Sequence, residues 1–173
     1  MTDFYQKITE MQGGVEDLVR KVPGFKGYFE KEDRRAADKL LRDHLVRVFE
    51  EQLNEFSRLQ NRLVDMGGLK YMEHVQRITT LLQTFIDRIK TAARGYAGVF
   101  DAIKVKEEEL ARLYAFDNTL LAYHEQLVDG VRRFAEAMGT EELDGVLSQL
   151  ESVVAEANDT FKRRVETIQG LSQ

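Results

Sequence analysis

Apolar residues recur in steps of three and four along most of this chain, and the steps sort into four long stripes. The first runs Leu41, Leu45, Val48/Phe49, Leu53, Phe56, Leu59, Leu63 and Met66. That spacing predicts one face of an amphipathic helix over residues 28–66, closed by Gly67-Gly68 as a left-handed cap. The second runs Leu69, Met72, Val75, Ile78, Leu82, Phe85/Ile86, Ile89 and Ala93, and stops at Gly95. The third takes Leu110, Leu113, Leu120, Leu127, Val131, Phe134 and Met138, and Gly139 ends it. Thr140 is expected to cap the fourth, which runs Leu143, Leu147, Leu150, Val154, Ala157, Phe161, Val165, Ile168 and Leu171. No stretch alternates with period two over a useful length, so no strand is predicted.

Short connections at Gly67-Gly68 and Gly139-Thr140 make consecutive helices antiparallel neighbours. The expected fold is all-α, an elongated antiparallel up-down four-helix bundle with shallow, coiled-coil-like crossings. An extra N-terminal amphipathic helix precedes it. Residues 1–22 place Phe4, Ile8, Met11, Val15, Leu18 and Val22 on one face, and Pro23-Gly24 separates them from a single bundle domain over residues 23–173. Opposite charges four apart, among them Glu30/Arg34, Asp38/Arg42, Asp43/Arg47 and Asp129/Arg133, read as a solvated outer face.

Composition narrows the functions this fold can serve. The 173 residues include no cysteine and no tryptophan, which removes disulfides and thiolate metal sites. Thirty acidic and 25 basic residues give a net charge of −5. The basic clusters Arg34-Arg35, Arg132-Arg133 and Lys162-Arg163-Arg164 all have acidic neighbours, so no nucleic-acid partner is expected. The uncharged run Ile78 to Ile86 is far short of the ~20 apolar residues a membrane span needs. Charges in MTDFYQKITEMQGG stand where a signal peptide would need an apolar core, so the expected location is cytoplasmic. Membrane contact, if any, would use residues 1–22, whose mixed charge suits it poorly.

Motifs for chemistry are sparse. Ferritin-like di-iron sites take Glu-x-x-His, yet Leu41, Tyr71 and Leu121 stand three residues before His44, His74 and His124. No His-Glu-x-x-His and no Gly-x-Ser-x-Gly is present, and no metal or cofactor is expected. Two polar residues, Asp117 and His124, fall on the apolar seam of the third stripe, about 10.5 Å apart along the axis. They are expected to be buried polar register residues, each with a partner on another helix. A small polar cavity using His124 is the alternative.

The connector RGYAGVFDAIKVKEEEL raises a second choice. Tyr96 and Phe100 could pack with Phe25, Tyr28 and Phe29 as an apolar plug and interaction surface at one end of the bundle. A cleft formed by Tyr28, Arg34, Arg35, Tyr96, Asp101 and Lys104, binding an anion or a peptide, is the alternative. The stretches VPGFKGYFEKEDRRAADKLLRDHL and GYAGVFDAIKVKEEELARLYAFD resemble all-helical bacterial proteins of no established function, a likeness that implies no catalytic residue, cofactor or partner. A generic likeness to coiled-coil scaffold proteins of the membrane-stress type also exists, from which the mixed charge of residues 3–21 departs. The expected role is a non-enzymatic interaction or scaffold protein with a protein partner or a second copy. Its alternatives are a bundle binding a small ligand or lipid, and a peripheral membrane-associated coiled-coil protein.

Overall fold

A computed structural model describes residues 2–30, 33–92 and 107–170, with side chains from Gln12 onward in the first helix and from Glu108 onward in the fourth. The described residues form α-helices and no strands. The helices are α1 (Thr2–Lys21), α2 (Arg34–Asp65), α3 (Met72–Thr91), α4 (Glu107–Ala137) and α5 (Leu143–Gly170), with a 3-10 turn at Leu69–Tyr71 before α3. Most residues of their apolar stripes are buried. The connector that holds Tyr96, Phe100, Asp101 and Lys104 lies outside the described residues.

The helix ends follow the local chemistry. At the end of α2, Gly67 adopts φ +83°, its N–H donates to the Val64 carbonyl at 2.9 Å, and the Gly68 N–H donates to the Leu63 carbonyl at 2.9 Å. This pair of bonds around a left-handed glycine satisfies carbonyls that the helix leaves open. Gly139, at φ +79°, turns the chain after α4. Thr140 Oγ1 then accepts the Glu142 N–H at 3.3 Å, just before α5. After α1, the Phe25 N–H donates to the Val22 carbonyl at 3.1 Å, and Gly24 has φ +83°. Proline followed by a left-handed glycine is what a type II turn demands.

That turn corrects one sequence expectation. Residues 28–33 were expected to open the second helix, but α2 begins at Arg34. Gly27, at φ +98°, turns the chain again. Tyr28 then directs its backbone N–H to the Tyr114 hydroxyl at 2.7 Å instead of into a helical ladder.

Contacts divide the chain into two compact units. One comprises Met1–His44, Lys90–Leu120 and Thr160–Gln173, the other Leu45–Ile89 and Leu121–Asp159. In the first, Leu18, Val22, Phe25, Leu41, Leu113, Leu120, Phe161 and Ile168 are buried, so the C-terminal half of α1 is docked. The second has an apolar core in which the Phe49 and Phe85 rings lie 4.5 Å apart and Phe56 and Phe134 5.2 Å apart. There α4 and α5 approach closely at Gly130, where an added Cβ would stand 2.5 Å from Leu150 Cδ2. Replacing Gly130 by valine should therefore lower stability by about 1–3 kcal/mol in urea unfolding, because overpacking outweighs the gain in helix propensity. Unchanged or higher stability would mean that the two helices are not so tightly apposed.

Candidate functional site

The first unit contains a buried cluster of charge. Arg164 of α5 is fully buried, with Asp117 of α4 at 0 % and Asp38 of α2 at 1 % exposure. Arg164 Nε donates to Asp117 Oδ1 at 2.5 Å, and its Nη2 donates to Asp38 Oδ1 at 2.8 Å. The other oxygen of Asp38 accepts from Arg42 Nε at 2.8 Å. One guanidinium thus joins carboxylates from two other helices, and a second arginine neutralises the pair. The planar fork of arginine suits this bridging, where lysine would offer only a point charge.

Tyr28 completes the cluster from the connector between α1 and α2. Its hydroxyl donates to Asp117 Oδ2 at 2.6 Å and accepts from Arg164 Nη2 at 3.1 Å. Its carbonyl accepts from Arg34 Nε at 2.7 Å. Its ring sits 5.2 Å from those of Phe25 and Tyr114, measured between centroids. Both oxygens of Asp117 and the hydroxyl of Tyr28 are engaged within the protein itself.

Burial dominates the electrostatics. It pushes the Asp117 carboxyl up to about 6, although Arg164 and the Tyr28 hydroxyl both favour the anion. The Tyr28 hydroxyl is pushed well above the usual phenol range by burial first and by the Asp117 charge second. Burial also pushes Tyr114 up to about 12.

Sequence reasoning places Asp117 inside, and it lies inside. His124 belongs to the other unit, is half-buried, and packs on the Phe49 ring at 5.6 Å. Burial lowers its pKa, against the pull of Glu125 and Glu51. Of the expected interaction surface, Phe25 and Tyr28 are core residues at 2 % and 0 % exposure, so neither presents a surface. Phe29 is 48 % exposed, its ring 5.6 Å from that of Tyr114. Tyr96 and Phe100 lie outside the described residues. Of the alternative cleft, Tyr28 and Arg34 come together, while Arg35 is exposed.

At Asp38, Arg42 and Arg34 the structure overturns the expectation of a solvated face. Asp38 and Arg42 are a buried pair, and Arg34 is buried too. Arg164, which the sequence sets in the basic run Lys162-Arg163-Arg164, is the centre of the buried cluster. The signal that could have found them is the stripe itself. Leu150, Val154, Ala157, Phe161, Arg164 and Ile168 follow steps of four and three without a break, as do Arg34, Asp38, Leu41 and Leu45.

The second unit holds a smaller polar group, where His74 Nε2 lies 2.6 Å from Glu151 Oε2 and Arg77 Nε lies 3.6 Å from Glu151 Oε1. Among the described residues no group of three or more acidic or histidine side chains could hold a metal ion. No helix among them is long and apolar enough to cross a membrane.

The raised pKa of Asp117 has a signed consequence. The folded protein keeps this proton up to pH about 6, whereas an unfolded chain releases it near 4. The group's contribution to stability is therefore present below pH 4 and lost as pH rises through 6. In urea titrations, the stability of Asp117→Asn minus that of the parent should rise between pH 4 and 6, by on the order of 3 kcal/mol. A difference that stays flat over this range would contradict the assignment. No protein-family model, curated protein or solved structure matches this chain, so the reading of the cluster rests on its own geometry.

Proposed function

We propose that this chain is a non-enzymatic helical-bundle protein that works by association, as a scaffold or interaction module in the cytoplasm. In this reading α2 to α5 run up and down as an antiparallel four-helix bundle with coiled-coil-like crossings, and α1 is an added layer. The short glycine turns after α2 and α4 favour that arrangement.

The observation that carries the functional reading is the glycine turn after α2. Met66 is 52 % exposed and Leu69 67 %, and they flank Gly67-Gly68 in the second unit. Large apolar side chains exposed on both sides of one structured turn favour a contact surface. Beside them, Met66, Lys70, Tyr71, Thr140, Glu141 and Asp144 help to line an open cleft of about 480 Å³. The cleft offers charge of both signs around an apolar edge, which suits another protein's surface. The buried charge in the first unit supports the same reading from the opposite side, because Asp117 and Arg164 are already engaged by partners within the chain.

A second copy of this chain is the simplest partner to test. Light scattering of the full chain across concentration should show self-association, and the double substitution Met66→Lys/Leu69→Lys should return it to the monomer mass. Its thermal stability should stay close to that of the parent, since exposed substitutions usually change stability by no more than about 0.5 kcal/mol. A parent that remains monomeric, or a double variant that associates as strongly as the parent, would overturn this reading.

A further inference from the structure

The Arg164 cluster divides its bonds unevenly between the three long helices and the segment that precedes them. Its ion pairs run among α2, α4 and α5: Arg164 with Asp117, Arg164 with Asp38, and Arg42 with Asp38. Residues 12–30 bring to it a phenol rather than a charge. That phenol, of Tyr28, lies over the cluster and reaches both Asp117 and Arg164.

Further polar attachments of residues 12–30 gather at the same place. The Tyr28 N–H donates to the Tyr114 hydroxyl at 2.7 Å, and Arg34 donates to the carbonyls of Tyr28 and Phe29 at 2.7 and 3.4 Å. Asn118 Nδ2 donates to the Gly14 carbonyl at 3.0 Å, which pins α1 at a second point. The bonds to Tyr28 and its neighbour Phe29 therefore outnumber the one at Gly14.

Lifting this segment away leaves Arg164, Asp117, Asp38 and Arg42 each with a counter-ion, and water can take the place of the phenol. Burying ions costs several kcal/mol of desolvation each, and much of that is returned when water reaches them. Exposure of Leu18, Val22, Phe25 and the Tyr28 ring opposes the movement. A segment over a wholly apolar core would have only that opposing side. Here the return of hydration partly offsets it, so separation from the long helices costs less than unfolding them. Proteins open in such sub-global units when a segment's contacts are separable from the rest.

We propose that residues 12–30 form a strap that opens as a unit while α2, α4 and α5 stay folded, with Tyr28 as its latch. Opening carries Leu18, Val22 and Phe25 off the helices and bares the Arg164–Asp38–Asp117 cluster to solvent. The strap is thus a conformational device in the first unit, independent of the contact surface at Met66 and Leu69.

Native-state hydrogen exchange on the full chain, read by mass spectrometry in low denaturant, tests it. In the parent, amides of residues 18–28 should exchange through an opening that leaves residues 113–120 and 161–168 protected. Tyr28→Phe keeps the ring and removes the hydroxyl that binds charged partners. It should speed exchange of the strap about 10- to 100-fold and leave the protected helical amides unchanged. Leu120→Ala, a core change in the same unit that leaves the Tyr28 hydroxyl in place, should instead speed the strap and the helices together. The proposal is overturned if strap and helix amides share one opening in the parent, a result that does not depend on any variant folding. It is equally overturned if Tyr28→Phe leaves strap exchange unchanged, or moves strap and helices by the same factor.

Discussion

A guanidinium taken wholly out of water needs its counter-ions fixed in place, and that requirement organises the first unit of this protein. Arg164 on α5 satisfies it with Asp117 on α4 and Asp38 on α2. Because the arginine fork is planar and each bond has a preferred direction, the three helices cannot rotate or slide without breaking an ion pair. An apolar seam tolerates a shift of one layer far more readily. Buried ion pairs are poor sources of net stability, because desolvation consumes most of the Coulomb gain. Their best-attested use is to select one register.

The second unit solves the same packing problem by shape. Its core is aromatic and aliphatic, with Phe49 against Phe85 and Phe56 against Phe134. Gly130 sets how closely α4 and α5 approach, since Leu150 occupies the space a side chain would need. Its polar group at His74 and Glu151 lies partly exposed, at 18 % and 33 % of side-chain surface, and the buried polar residues Asn158 and Thr79 are uncharged. One unit therefore buries a charged cluster beneath a segment that brings it a phenol. The other buries uncharged groups and ends in a turn with apolar side chains in solvent. The proposed association surface and the proposed strap belong to different units for that physical reason.

The repeating stripes make the helices legible, and the glycines make most of their ends legible. Gly67 and Gly139 both adopt the left-handed conformation that their positions suggest. The start of α2 is not legible, because residues 28–33 have helical spacing but Tyr28 is captured by Tyr114, 86 positions away. Asp117 can be found, since a carboxylate on an apolar seam stands out. Asp38 and Arg34 lie on the same kind of seam but carry the spacing of a solvated face, and Arg164 stands in a run of basic residues. Charged residues four apart usually are surface, and the partners that hold Arg164 inside lie 47 and 126 positions from it. The aromatic residues Phe25 and Tyr28 stand out correctly as a group, yet they belong to the core and not to an exposed patch. Nothing local to them signals that a phenol will be needed over a buried ion pair.

A double-mutant cycle between Arg164 and Asp117 measures the central contact directly. Arg164→Met and Asp117→Leu should each cost about 3–5 kcal/mol in urea unfolding, because each leaves the buried cluster with one uncompensated charge. Together they should cost less than the sum by at least about 2 kcal/mol, the two removals sparing each other's penalty. Additive losses, or single losses near zero, would mean that these two charges do not meet inside the fold.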